Sequence, residues 1–224
     1  MNQWQQLLRK AYALTYVDVD ADRITLCIWF NQDSADFVDM LLKAYQEVIQ
    51  RNELRVGIYS LRPPENLEVR LKEDEFWIAK PKEGEAYEGI TTMIGQKRKA
   101  QSSVSSAVYR EDVIGIALRV RGSLATPLLE AEVGRHEWKR TNSVQRCLIE
   151  TTSAEVEKLL PAPVLVGREV SQVAAVRTWN DRTRRIEAPG LRGEGMVWTR
   201  SNTADCLAKL LQDRLIEQAN RLIE

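Results

Sequence analysis

Histidine is almost missing from this chain: His136 is the only one among 224 residues. A serine or cysteine triad would have to be built on it, and no nucleophile can be tied to it by spacing. The motifs G-x-S-x-G, G-x-x-x-x-G-K-[ST] and G-x-G-x-x-G in a strand-to-helix context are also lacking. Cysteine is scarce too. Cys27, Cys147 and Cys206 lie far apart with no C-x-x-C, which excludes a zinc knuckle and a disulfide framework and predicts buried thiols in a reducing compartment. Net charge is absent, because 32 Lys and Arg balance 32 Asp and Glu. A charge-balanced molecule has no long-range pull on polyanions, so a histone-like binder is excluded and only a local patch remains.

Long apolar runs are lacking as well. No stretch approaches the ~20 residues needed to span a bilayer. The first residues, MNQWQQLLRKAYAL, have no basic region ahead of a continuous apolar core, so the expectation is a cytoplasmic protein without a signal peptide. Hydrophobic content of 44% and charged content of 29% are those of a globular protein. A chain of this length buries roughly 70% of its unfolded surface and needs no metal or disulfide for stability.

What is present is strand and helix patterning in alternation. Trp4, Leu7, Leu8 and Ala11 predict a short helix over 3–12. The segment 13–30 reads as two strands joined at DADR, and the second, from Ile24 to Phe30, is apolar enough to be covered on both faces. Asp33 or Ser34 caps a helix whose apolar face is Phe37, Leu41, Ala44, Tyr45 and Val48, and a strand follows at 54–61. Short strands at 67–71 and 75–79 form a meander, residues 80–108 are irregular, and strands resume at 113–120, 128–138 and 144–150. A helix at 153–160 ends at Pro161 to Pro163, which is either a helix stop or a division into two lobes. Strands at 173–179 and 195–200 flank a long loop. A capped C-terminal helix from 201 carries Ala204, Leu207, Leu211, Leu215 and Leu222. The expected fold is α+β: a single domain over 1–224, mostly antiparallel sheet, with an N-terminal α/β unit and a packed C-terminal helix.

Charge is uneven along the chain. Between Lys97 and Arg121 six cations stand against two anions, and between Arg168 and Arg200 seven stand against four. The loop at 94–108 carries Lys97, Arg98 and Lys99, and the loop at 180–195 carries Arg182, Arg184 and Arg185. A planar guanidinium donates two parallel hydrogen bonds to a phosphate, so these six residues are the candidate nucleic-acid contacts. Gly193 and Gly195 would let backbone amides approach an oxyanion, and Trp179 and Trp198 flank the second loop as platforms for unpaired bases or as core. The two basic loops make a composite surface only if the fold brings them to one face.

Two acidic constellations carry less. On a straight strand Glu132 and His136 stand roughly 13 Å apart, too far to share one metal. Glu137, Trp138 and Lys139 have the Glu-x-Lys form of metal-dependent nucleases, with Asp112 or Glu130 as a second carboxylate, but Glu155-Val156-Glu157-Lys158 shows how cheaply such strings arise. The acidic DVDAD at 18–22 lacks the glycine and distal glutamate of a calcium loop and reads as a turn. The leading expectation is therefore a non-catalytic binding or assembly protein, with no cofactor and no metal, touching a polyanion through the basic loops. That partner is a nucleic-acid backbone or an acidic protein surface. The alternatives are a nuclease or phosphodiesterase on Asp112, Glu130, Glu137 and Lys139, and an adaptor using the terminal helices. No membrane partner is expected, and these residues do not give the oligomeric state.

Overall fold

The computed structural model describes residues 23–61, 69–72, 75–78, 89–93, 108–109, 113–152, 175–187 and 197–223. The run RITLCIWF forms β1 (Arg23–Phe30), buried on both faces after its first residue. Helix α1 (Ala35–Arg51) follows, with Phe37, Leu41, Ala44, Tyr45 and Val48 all buried as the spacing predicts. Strand β2 (Arg55–Leu61) then runs parallel to β1 but does not pair with it. Strand β6 (Gly115–Arg121) lies between them, antiparallel to both, which makes β1–α1–β2 a split βαβ unit.

The remaining strands are β3 (Val69–Lys72), β4 (Glu75–Ile78), β5 (Gly89–Met93), β7 (Gly134–Lys139), β8 (Val144–Thr152), β9 (Ala175–Asn180) and β10 (Arg185–Glu187). Eight of the strands form one sheet in the order β10-β9-β7-β8-β1-β6-β2-β5, and β3 and β4 pair as a separate hairpin. Every pairing in the large sheet is antiparallel except β7 with β9. Two further helices are α2 (Ala125–Glu130) and α3 (Thr203–Ile223). Helix α1 packs over β1, β2 and β8, α3 packs beside α1, and α2 joins β1 to α3. The fold is thus α+β, a mostly antiparallel sheet with an N-terminal α/β unit and a packed C-terminal helix. No helix among the described residues is long and apolar enough to cross a membrane.

Several local expectations are corrected. Ser34 occupies the N-cap of α1 but makes no cap hydrogen bond. Its hydroxyl instead donates to Asn31 Oδ1 (2.9 Å) and accepts the amide of Arg146 (3.1 Å), tying the helix entry to β8. Residues 128–138 are not one strand: the first three close α2, a turn follows, and β7 begins at Gly134, whose φ of 133° suits glycine. A strand within 80–108 was missed, although GITTM at β5 has β-branched residues and pairs with β2. No strand forms over residues 197–200; instead a 3-10 turn at Arg200–Asn202 leads into α3, and the extra strand β10 arises inside the supposed loop. The helices expected at 3–12 and 153–160, the first strand of 13–30 and the Pro161 to Pro163 boundary lie outside the described residues.

Glycine is required at position 115. A Cβ there would sit 2.8 Å from the Trp29 ring and 3.2 Å from the carbonyl oxygen of Ile28, its neighbours across the β1–β6 ladder. Gly115→Ala is expected to destabilise the protein by about 1–3 kcal/mol through overpacking. Urea denaturation checks this, and an unchanged midpoint would show that the Trp29 ring moves aside freely.

Candidate functional site

At the β7–β9 end of the sheet two charged groups are buried together. The ladder slips between Arg135 and His136, so that Arg177 pairs with His136 and Trp179 with Trp138. This irregularity turns Arg177 toward the helix layer, as bulges do. The Arg177 guanidinium meets the Glu132 carboxylate, with Nε donating to Oε1 and Oε2 at 3.0 Å each and Nη2 also donating to Oε1. Tyr45 on α1 donates its hydroxyl to Glu132 Oε2 at 2.7 Å. Both charged side chains are wholly inaccessible to solvent. Burial raises the Glu132 carboxyl, but the Arg177 charge and hydrogen bonds outweigh it and hold the group down at about 2.

His136 completes the cluster. Its Nε2 lies 2.9 Å from the Glu132 carbonyl oxygen, so Nε2 carries the proton and donates. Nδ1 has no hydrogen-bond partner among the described residues, which suits an unprotonated nitrogen. Burial lowers the imidazole to about 4, with Glu132 opposing and the nearby Arg177 and Arg214 assisting. The straight-strand separation of Glu132 and His136 does not apply, because Glu132 stands in the turn before β7. The pair still offers no metal site, since Arg177 and Tyr45 take the carboxylate.

Beside this cluster three tryptophans pack together. Trp179 and Trp198 meet edge to face with centroids 5.4 Å apart, and Trp138 meets Trp198 at 6.5 Å. Trp179 and Trp198 are at most 1% exposed, so they are core and present no platform to a base. Trp138 is fixed further by its indole N–H, which donates to Asp181 Oδ1 at 2.8 Å, and by Phe37.

The candidate arginines stand just beyond. Residues 181–184 form the turn between β9 and β10, and Arg182, Arg184 and Arg185 are all exposed. Asn180 Oδ1 accepts the amides of Arg182 (3.0 Å) and Thr183 (3.2 Å), and Arg184 sits in the left-handed region at φ 51°. The turn is held from outside by the Trp198 amide, which donates to the Arg184 carbonyl at 2.9 Å. Two cations that the sequence reading overlooked adjoin it. The guanidinium carbon of Arg140 lies 4.9 Å from the Trp138 centroid and that of Arg200 lies 4.4 Å away. A signal was available: Trp138-Lys139-Arg140 and Trp198-Thr199-Arg200 repeat the spacing W-x-R. Lys97, Arg98 and Lys99 lie outside the described residues.

The other candidates are placed less favourably for their proposed roles. Asp112 lies outside the described residues. Glu130 ends α2, while Glu137 is buried in β7 with Arg146 at 3.1 Å and Arg135 at 3.3 Å from the same oxygen. Lys139 closes β7. No group of three His, Cys, Asp or Glu among the described residues is arranged to hold a metal ion. On α3 the stripe Leu207, Leu211 and Leu215 is core, so it is not a free adaptor face. Cys27, Cys147 and Cys206 are buried free thiols; burial, with the Glu150 charge assisting, pushes Cys27 up to about 12.

No family model matches the chain, and no curated protein matches it in sequence. Among solved structures, RF2 of Thermus thermophilus is similar, with a TM-score of 0.52 over 98% of this chain and 74% of that one. The sequences are 11% identical, so the likeness is one of fold.

The buried histidine sets a pH dependence. Its folded value of about 4 lies below the ordinary 6.5, so the unfolded chain takes up the proton first as pH falls. The stability tied to His136 is complete above 6.5 and is lost between 6.5 and 4, amounting to about 2 kcal/mol by pH 5. Glu132 adds a loss only below 4.5. Glu150, raised by burial, acts in the opposite sense. Urea denaturation at pH 7.5 and pH 5 should therefore show a drop that His136→Gln removes; an equal drop in both proteins would contradict the assignment.

Proposed function

We propose that the protein binds nucleic-acid backbone, RNA in particular, through the β9–β10 hairpin bearing Arg182, Arg184 and Arg185. The observation that carries this reading is the way the hairpin is built. Three exposed guanidiniums follow one another on a turn pinned by Asn180 and by the Trp198 amide. One of them occupies a left-handed position where glycine or asparagine would be relaxed. Strain retained at an exposed arginine is a pointer to a role for its side chain. Lys97, Arg98 and Lys99, outside the described residues, are proposed as further contacts on the local charge excess alone.

RNA is taken as the polyanion over an acidic protein surface on the fold likeness to RF2 of Thermus thermophilus. A non-catalytic role fits the engaged carboxylate of Glu137 and the buried, neutral His136. Phosphate contacts made by arginine release counterions, so the predicted binding weakens steeply with salt.

Charge reversal at Arg182, Arg184 and Arg185 should weaken binding to a structured RNA at least tenfold at about 0.1 M salt. It should also flatten the log–log salt slope by about 2 to 3, roughly 0.7 to 0.9 for each of three lost phosphate contacts. An unchanged affinity and slope would refute the reading. Arg184→Gly separates binding from folding: it relieves the left-handed arginine, so unfolding free energy stays level or rises by less than about 1 kcal/mol while binding weakens. Equal loss of both would mean that Arg184 only shapes the turn.

A further inference from the structure

Arg140 and Arg200 are held in an unusual way for surface arginines. Each guanidinium rests against the same indole, Trp138, at 4.9 and 4.4 Å from the ring centroid. The indole itself cannot shift, since its N–H is bonded to Asp181 and its ring is wedged between Phe37 and Trp198. The acidic neighbours are loosely engaged. Arg140 Nη1 stands 3.8 Å from Asp36 Oδ2 and Arg200 Nη2 stands 3.8 Å from Asp181 Oδ2, beyond hydrogen-bonding reach. Both anions have closer donors: Tyr109 donates to Asp36 at 3.1 Å and Trp138 to Asp181 at 2.8 Å. The two arginine side chains keep 35% and 58% of their surface. Among the described residues the fork donors therefore have only these long ion pairs at 3.8 Å, while their planes are held against the indole.

We propose that Arg140 and Arg200 form a clamp for one phosphodiester group, next to the β9–β10 hairpin. The two guanidinium carbons lie within about 9 Å of each other, the sum of their distances to the shared centroid, and the proposed clamp has both forks on the same side of the ring. A phosphate gripped by two forks at ~2.8 Å per hydrogen bond holds guanidinium carbons on the order of 8 Å apart or less. Cations seated on an aromatic ring lose little further freedom on binding, so the clamp is pre-organised. Asp181 couples it to the hairpin: its amide donates to the Lys139 carbonyl at 3.0 Å, and it is the first residue of the turn that presents Arg182, Arg184 and Arg185. One phosphate in the clamp and its neighbours along the strand at the hairpin make a continuous backbone track.

The inference rests on the nucleic-acid reading, and the test separates the two. The full-length protein is titrated with a structured RNA hairpin over a salt series, as wild type, as Arg140→Gln with Arg200→Gln, as Arg140→Lys with Arg200→Lys, and as the hairpin charge reversal. The glutamine pair is expected to bind at least tenfold more weakly, with a salt slope lower by about 1, the value for one phosphate. The lysine pair keeps the slope, because the charge remains, but loses several-fold in affinity, because an ammonium lacks the planar fork. Wild-type affinity and slope in the glutamine pair, beside weakened binding in the hairpin variant, would overturn the clamp and leave the hairpin reading standing. Absence of wild-type RNA binding at low salt would overturn both. If the glutamine pair melts at a lower temperature than wild type, the lysine pair decides: wild-type affinity there removes the clamp.

Discussion

The buried ion pair between Arg177 and Glu132 is the constraint on which this end of the molecule depends. Strand β9 joins the sheet by a parallel pairing to β7, and no tight turn connects those two strands. A parallel strand at this position needs something to set its register. In the observed register Arg177 reaches the Glu132 carboxylate, presented from the turn after α2. Tyr45 from α1 closes the same carboxylate, so helix layer, turn and strand meet at one group. Such pairs contribute little net stability when compared with well-packed apolar residues, but losing one partner strands a charge in the interior.

From that register follows the rest of the site. With Arg177 opposite His136, Trp179 falls opposite Trp138, and both rings face Trp198. The tryptophan cluster carries the β9–β10 hairpin on one side and the 3-10 turn before α3 on the other. Thr199 and Asn202 lock that turn, the Thr199 amide donating to Asn202 Oδ1 at 2.7 Å. The arginines at the surface are thus mounted on a rigid, dry base. Aromatic residues that looked like binding platforms support the basic groups from beneath.

Much of the framework was legible in the residues, and the reasons are specific. The apolar run at β1 announced a strand covered on both sides, and the stripes of α1 and α3 announced their packing faces. The 128–138 region misled because LLEAEVGRHEW alternates well enough for a strand, while the turn at Gly134 needs a backbone angle that pattern does not display. Strand β10 was hidden because Arg185–Glu187 is short, charged and stabilised by pairing with β9 alone. The hairpin arginines were visible as a charge cluster. Arg140 and Arg200 showed only as the W-x-R spacing, and their significance comes from Trp138, which lies two residues from one in sequence and meets the other only through the fold. The Arg177 to Glu132 contact spans 45 residues, and nothing local in VAAVRTW names its partner.

The central claim is that a polyanion backbone is read at the end of the sheet where β7 and β9 finish and β10 begins. Amide hydrogen exchange of the full chain, with and without a saturating structured RNA at low salt, addresses it without any substitution. Added protection concentrated at residues 180–185 and 198–202, with α1 and the centre of the sheet unchanged, is the result this account predicts. Protection confined to other surfaces, with the β9–β10 hairpin exchanging as in the free protein, would contradict it.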